Sequence, residues 1–85
     1  MTAYQILFSK QARKDVENLT QKQKAKLQDI LRNILAQNPY EGKALKGDLD
    51  GLRSFRLNRK DRILYEIYEA NKTILIIRAR THYGD

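Results

Sequence analysis

The sequence predicts an α+β fold in which a helical hairpin covers one face of a small, mainly antiparallel sheet, in the order β-α-α-β-β-β. Three observations carry that expectation. Apolar residues between positions 20 and 35 recur at helical spacing, those between 52 and 69 alternate at the strand period, and one short apolar and aromatic run precedes the helices. Two helices with one apolar stripe each cannot bury it alone, so they need a sheet to cover. The 85 residues make a single domain, residues 1–85, near the lower limit of what folds without a metal or disulfide.

Each element has its own signal. Tyr4-Gln5-Ile6-Leu7-Phe8 reads as a strand, and Ser9 suits the N-cap of a helix over 10–18 with Ala12, Val16 and Leu19 on one stripe. Thr20-Gln21-Lys22-Gln23 matches a capping box, in which Thr20 accepts from the third helical amide and Gln23 reaches back. Leu27, Ile30, Leu31, Ile34 and Leu35 then follow the strongest periodicity in the chain, ended by Asn38-Pro39. Lys22, Lys24 and Lys26 read as a solvated face of that second helix. Residues 40–51, with Gly42, Gly47 and Gly51, read as a loop, either a charged surface segment or one that touches a substrate.

A three-strand meander follows. Phe55, Leu57, Ile63, Tyr65 and Ile67 share one parity and are expected to face the helices, which sends Arg56 and Arg62 to the opposite face. Asn58-Arg59-Lys60-Asp61 and Glu69-Ala70-Asn71-Lys72 make the turns, with Asn71 suited to a positive φ. Ile74-Leu75-Ile76-Ile77 is apolar without alternation, as expected of a central strand. If Leu75, Ile77 and Ala79 face the helices, then Arg78, Arg80 and His82 join Arg56 and Arg62 on the open face. Glu66 is the one acid there, and a cluster of cations repels itself unless an anion sits among them.

Composition narrows the chemistry. There is no cysteine, which excludes disulfides, thiolate zinc sites and a cysteine nucleophile, and suits a reducing cytoplasm. A single histidine excludes a multi-histidine metal site within one chain. No apolar run approaches the ~18 residues that span a bilayer, and the N-terminus lacks the apolar core of a signal peptide, so no membrane is expected. The formal net charge of +7 asks for an acidic partner, whether nucleic acid, protein or an anionic surface. Among these cations His82 is the group that titrates near neutrality.

Several stretches resemble the RelE/ParE toxin superfamily, and most of all the YoeB and RelE type of messenger-RNA interferase. They are Asn38-Pro39-Tyr40-Glu41-Gly42-Lys43, Leu45-Lys46-Gly47, the run from Gly51 through Leu52-Arg53-Ser54-Phe55-Arg56-Leu57, Asp61-Arg62-Ile63-Leu64-Tyr65, and the ending Arg80-Thr81-His82-Tyr83. The resemblance covers nearly the whole chain, and the Arg-Ile-Leu-Tyr strand and the His-Tyr pair are its specific parts. It implies a small basic ribonuclease that cleaves mRNA in the ribosomal A site without metal or cofactor. It also implies a cognate acidic antitoxin that silences it. By position, Arg62 resembles the family's phosphate-binding arginine, His82 and Tyr83 its terminal pair, and Arg80 the arginine that often precedes them.

Lys43, Lys46, Arg53 and Arg56 fall where relatives carry basic residues that hold RNA, and Arg78 joins them by parity. The catalytic glutamate of the YoeB type has no match, since Lys43 or Ala44 stands there. The general base stays open among Lys43, Lys46, Tyr83 and the nearby acids Glu41 and Asp48. Other relatives end in a pattern that His82 and Asp85 fit. A gyrase-poisoning toxin of the ParE branch, or a non-catalytic RNA- or protein-binding module, would share fold and charge but needs no terminal His-Tyr.

Overall fold

The computed structural model describes residues 3–81, and their side chains as far as Ala79. Strand β1 (Gln5–Phe8) leads directly into helix α1 (Lys10–Glu17), with Ser9 serving both. Its Oγ accepts from the Ala12 N–H at 3.0 Å and its hydroxyl donates to the Ile77 carbonyl at 2.9 Å, so the helix cap is also a tie to the sheet. Helix α2 (Gln21–Ile30) begins on the capping box expected of it: Gln23 N–H donates to Thr20 Oγ1 at 3.1 Å, and Thr20 N–H to Gln23 Oε1 at 3.0 Å. It continues through a π-helical turn, Leu31–Leu35, in which the Ala36 N–H reaches the Leu31 carbonyl at 2.8 Å.

Four further strands follow: β2 (Lys43–Ala44), β3 (Arg53–Arg56), β4 (Arg62–Tyr68) and β5 (Thr73–Thr81). The sheet order is β1-β5-β4-β3-β2, with β1 parallel to β5 and the other pairs antiparallel. Both helices lie on one face, where Ala12, Leu19, Leu27, Ile30, Leu31 and Leu35 pack with Ile63, Tyr65, Ile74 and Ile76. This is the expected α+β architecture, with one strand more than the sequence announced. Residues 40–51 are not a bare loop. They hold two 3₁₀ turns, Pro39–Glu41 and Gly47–Leu49, with β2 between them paired to β3. The left-handed residue of the last turn is Lys72 at φ 50°, one position after Asn71.

The expected faces of β5 need correction. Ile74 and Ile76 are fully buried under the helices, while Leu75 and Ile77 are half-buried on the other parity. Ala79 nevertheless lies in the core, as the sequence suggested. The cause is in the register. From Tyr65↔Ile76 to Leu64↔Arg78 the pairing takes one step along β4 and two along β5, and a second shift separates Leu64 from Arg62. Each extra residue reverses the alternation, as a bulge does. A continuous apolar run hides this, because either parity satisfies it.

At the end of the sheet away from these bulges, Glu69 collects three partners. Tyr4 Oη donates to its two carboxylate oxygens at 2.8 and 2.7 Å, Tyr40 Oη donates to Oε2, and Lys72 Nζ pairs with Oε1 at 2.7 Å. These bonds, with Lys72 first, hold the Glu69 carboxyl at about 2 against an ordinary 4.5. Burial would raise the carboxyl of Asp15 on α1. Hydrogen bonds from Arg78, the Ala79 N–H and Gln11 outweigh it and keep that group below its ordinary value. Both carboxyls are depressed in the folded state, so their contribution is present at neutral pH and is lost as pH falls through the folded values. The urea midpoint is expected to drop between about pH 5 and pH 2. Glu69→Gln should flatten that part of the profile, whereas an unchanged profile would mean that Glu69 holds nothing.

Candidate functional site

The antiparallel register sets which side chains meet. Arg56 lies opposite Arg62, Ser54 opposite both Leu64 and Lys43, and Arg62 opposite Thr81. Directly opposed residues share a face, so Lys43, Ser54, Arg56 and Arg62 all lie on the sheet face away from the helices. Lys43, Leu45, Ser54 and Arg62 line a shallow cleft of about 210 Å³ there. A second hollow of about 340 Å³ adjoins it, lined by Lys43, Ala44, Leu45 and Lys46. Arg62 is half-buried; Lys43, Lys46 and Arg56 are exposed. Like charges set side by side across two strands cost free energy unless an anion lies between them. Glu66 shares the face, but accepts from Tyr68 Oη at 2.5 Å.

Two of the expected cations lie elsewhere. Arg78 turns to α1, where its Nε donates to Asp15 Oδ2 at 2.8 Å and its Nη2 to Oδ1 at 3.4 Å. The Ala79 N–H donates to Asp15 Oδ2 at 3.2 Å. Arg78 is thus a tie between helix and strand, not a member of the open-face cluster. Arg53 shares the parity of Phe55, and its Nη2 donates to the carbonyls of Tyr40 and Gly42 at 3.0 and 2.7 Å. Its guanidinium also stands 5.2 Å from the centroid of the Tyr40 ring. Both arginines are held by groups of this chain, which the sequence did not announce. The backbone of Arg80 belongs to β5, but its side chain lies outside the described set, and His82, Tyr83 and Asp85 lie outside the described residues.

Asp15 was passed over in the sequence. Its signal was there: it stands three residues from Ala12 and four from Leu19, an acid in step with the apolar stripe. Of the acids near the cleft, Glu41 and Asp48 are exposed on the two 3₁₀ turns, and Asp61 is buried, accepting from Asn58 Nδ2 at 3.0 Å. Among the described residues no group of three or more acids, cysteines or histidines could hold a metal ion. No helix among them is long and apolar enough to cross a membrane. Round the β3–β4 turn, Lys22, Gln23 and Lys26 of α2 face Asn58, Arg59 and Lys60 across a cleft of about 590 Å³. Two of the three lysines expected to form a plain solvated face, Lys22 and Lys26, therefore line one wall of a largely basic cleft.

Comparison with known proteins gives the family and the fold. A curated YoeB toxin from Synechocystis is 36% identical over 59 residues, which cover 65% of this chain and 66% of that one, just under two thirds of its length. The RelBE2 toxin–antitoxin complex from Mycobacterium tuberculosis contains a chain 30% identical to this one. The two superpose with a TM-score of 0.85, covering 100% of this chain and 97% of that one. A YoeB–YefM complex from Staphylococcus aureus matches at 29% identity and a TM-score of 0.76, over 94% of this chain and 98% of that one. The sequence model of the ParE-like toxins of type II bacterial toxin–antitoxin systems matches residues 6–83, and this chain belongs to that family.

Proposed function

We propose that this toxin is a metal-independent, ribosome-dependent endoribonuclease of the RelE and YoeB type, which cleaves mRNA by attack of its own 2′-OH. The observation that carries this reading is the gathering of Lys43, Arg56 and Arg62 on one sheet face, at the place where β5 comes opposite Arg62. The next residue in sequence after Thr81 is His82. The likeness to toxins named YoeB and RelBE2 supports the same reading.

In the reaction, a base takes the proton of the 2′-OH and that oxygen attacks the adjacent phosphorus. The P–O5′ bond breaks, and an acid protonates the departing 5′ oxygen. The products are a 2′,3′-cyclic phosphate and a free 5′-OH. Arg62 and Arg80 hold the phosphate oxygens as negative charge grows on them, an effect worth a few kcal/mol for a well-placed donor. His82 gives its proton to the 5′ oxygen, a role that suits an imidazole as a general acid. Tyr83 stacks on a base or lends its hydroxyl. Lys43, Lys46 and Arg56 follow the RNA backbone, and the cleft of Lys22, Lys26, Arg59 and Lys60 meets ribosomal RNA phosphates. The site works in the cytoplasm, where its substrate is translated.

The toxin is held silent by a cognate antitoxin. Two of the similar structures are toxin–antitoxin complexes by name. The charge of +7 asks that the antitoxin bring an acidic segment, one that folds on binding.

Mapping of mRNA 5′ ends after induction tests the reaction. New ends at fixed positions within A-site codons, with translation halted within minutes, are expected. Intact mRNA alongside trapped, cleaved DNA would instead make this a gyrase poison of the ParE branch. Replacing His82 by Gln should lower cleavage by about 10²–10⁴. Arg62→Ala should cost about 10²–10³ while the protein still unfolds cooperatively. More than about a tenth of the wild-type rate in His82→Gln would remove it as general acid. Finally, a small acidic protein encoded beside this gene should bind the toxin below micromolar concentration and abolish cleavage. A toxin purified alone from its host, with no such binder, would contradict the partner.

A further inference from the structure

Tyr65 is a fully buried core side chain, yet its hydroxyl ends against the backbone of residues 39–42. It donates to the Pro39 carbonyl at 2.6 Å and accepts from the Gly42 N–H at 3.1 Å. Arg53 fastens the same segment again, through the Tyr40 and Gly42 carbonyls. Contact at Gly42 is close enough to dictate the residue. A Cβ there would meet Tyr65 Oη at 2.1 Å and the Ser54 carbonyl at 2.8 Å. Four backbone groups in four residues are therefore committed, and the next residue is Lys43, whose Cα pairs with Ser54 in the cleft that Arg62 lines.

A phenylalanine would fill the same core volume, so packing alone does not call for the hydroxyl. Burying a polar atom costs free energy unless it is hydrogen-bonded, and both bonds here go to one short segment. That segment matters to the cleft because a lysine on a free loop is a flexible point charge, whereas one on a fixed backbone starts from a set position. Burial also pushes the Tyr65 pKa above the ordinary tyrosine value, so the proton stays available to Pro39.

We propose that Tyr65 is a positioning residue for the candidate site, its hydroxyl fixing the backbone of residues 39–42 so that Lys43 is presented to the phosphate beside Arg62. This rests on reading Lys43 and Arg62 as phosphate-binding groups. Tyr65 touches no substrate and acts through Lys43, so its effect should vanish when the lysine side chain is gone.

The experiment is a double-mutant cycle of Tyr65→Phe and Lys43→Ala, read as kcat and KM for cleavage of ribosome-bound mRNA. Amide exchange at Gly42 and Lys43, and binding of a 2′-O-methyl oligonucleotide that cannot be cleaved, are measured alongside. Tyr65→Phe is expected to lower kcat about 10- to 100-fold in the wild-type background. It should change kcat less than about twofold when added to Lys43→Ala. Exchange at Gly42 and Lys43 should quicken. Equal losses in both backgrounds, or unchanged exchange at these two amides, would overturn the proposal and leave Tyr65 a core residue. If the wild type cleaves no RNA, the ribonuclease reading fails by itself. Positioning is then decided by exchange, and by oligonucleotide binding that weakens in Tyr65→Phe only while Lys43 is present. Should Tyr65→Phe not fold, Arg53→Met removes the other hold on the segment and is put through the same cycle with the same deciding outcomes.

Discussion

The carboxylate of Asp15 is the contact on which the arrangement of this molecule turns. It is almost wholly buried, and it accepts from the Arg78 side chain and from the Ala79 N–H. A buried charge without partners would be too costly to keep, so α1 and β5 are constrained to meet at this point. Phe8 is the last residue of β1 paired to β5, opposite Ile76. From there on α1 takes over, through Ser9 to Ile77 and Asp15 to Ala79. The same stretch of β5 carries the two register shifts that bring Thr81 opposite Arg62. The part of β5 that comes opposite Arg62 is thus tied to a helix on the other side of the sheet.

Arginine does two kinds of work here. Arg53 and Arg78 are spent on carbonyls and a carboxylate of their own chain, and they hold elements together. Arg56 is exposed on the open face, where its cross-strand neighbour is another arginine. An acceptor supplied by the fold makes an arginine structural, whereas cations gathered across strands repel one another and favour an anion among them.

This is also why the sequence was legible only in part. The second helix could be read because Thr20 and Gln23 cap it reciprocally and its leucines and isoleucines keep strict spacing, both local properties. The meander could be read from the alternation of Phe55, Ile63, Tyr65 and Ile67, which faced the core as expected. Strand β2 escaped because two residues are too few to show a period. The faces of β5 escaped because Ile74 to Ile77 satisfies either parity, and the extra residues are fixed by pairing with β4. The contacts of Arg53 and Arg78 escaped because their partners lie 11 and 63 positions away. The shared face of Arg56 and Arg62 could be read because their register follows from the turn between them, which the sequence marks with Asn58 and Asp61.

The pairing of β1 with β5 has a bearing on how the chain acquires its shape. Ser9 and Ile77, bonded side by side, are 68 positions apart. Closing so long a loop costs entropy before any contact rewards it, and topologies of this kind fold slowly. While the chain is being synthesised, α1 and α2 emerge with apolar stripes and no sheet beneath them. Strand β5, which joins β1 to the rest of the sheet, follows every other described element. Until it emerges, β1 has no neighbour in the sheet, Asp15 lacks Arg78, and Arg62 lacks its cross-strand neighbour Thr81. The nascent chain is therefore aggregation-exposed in that interval.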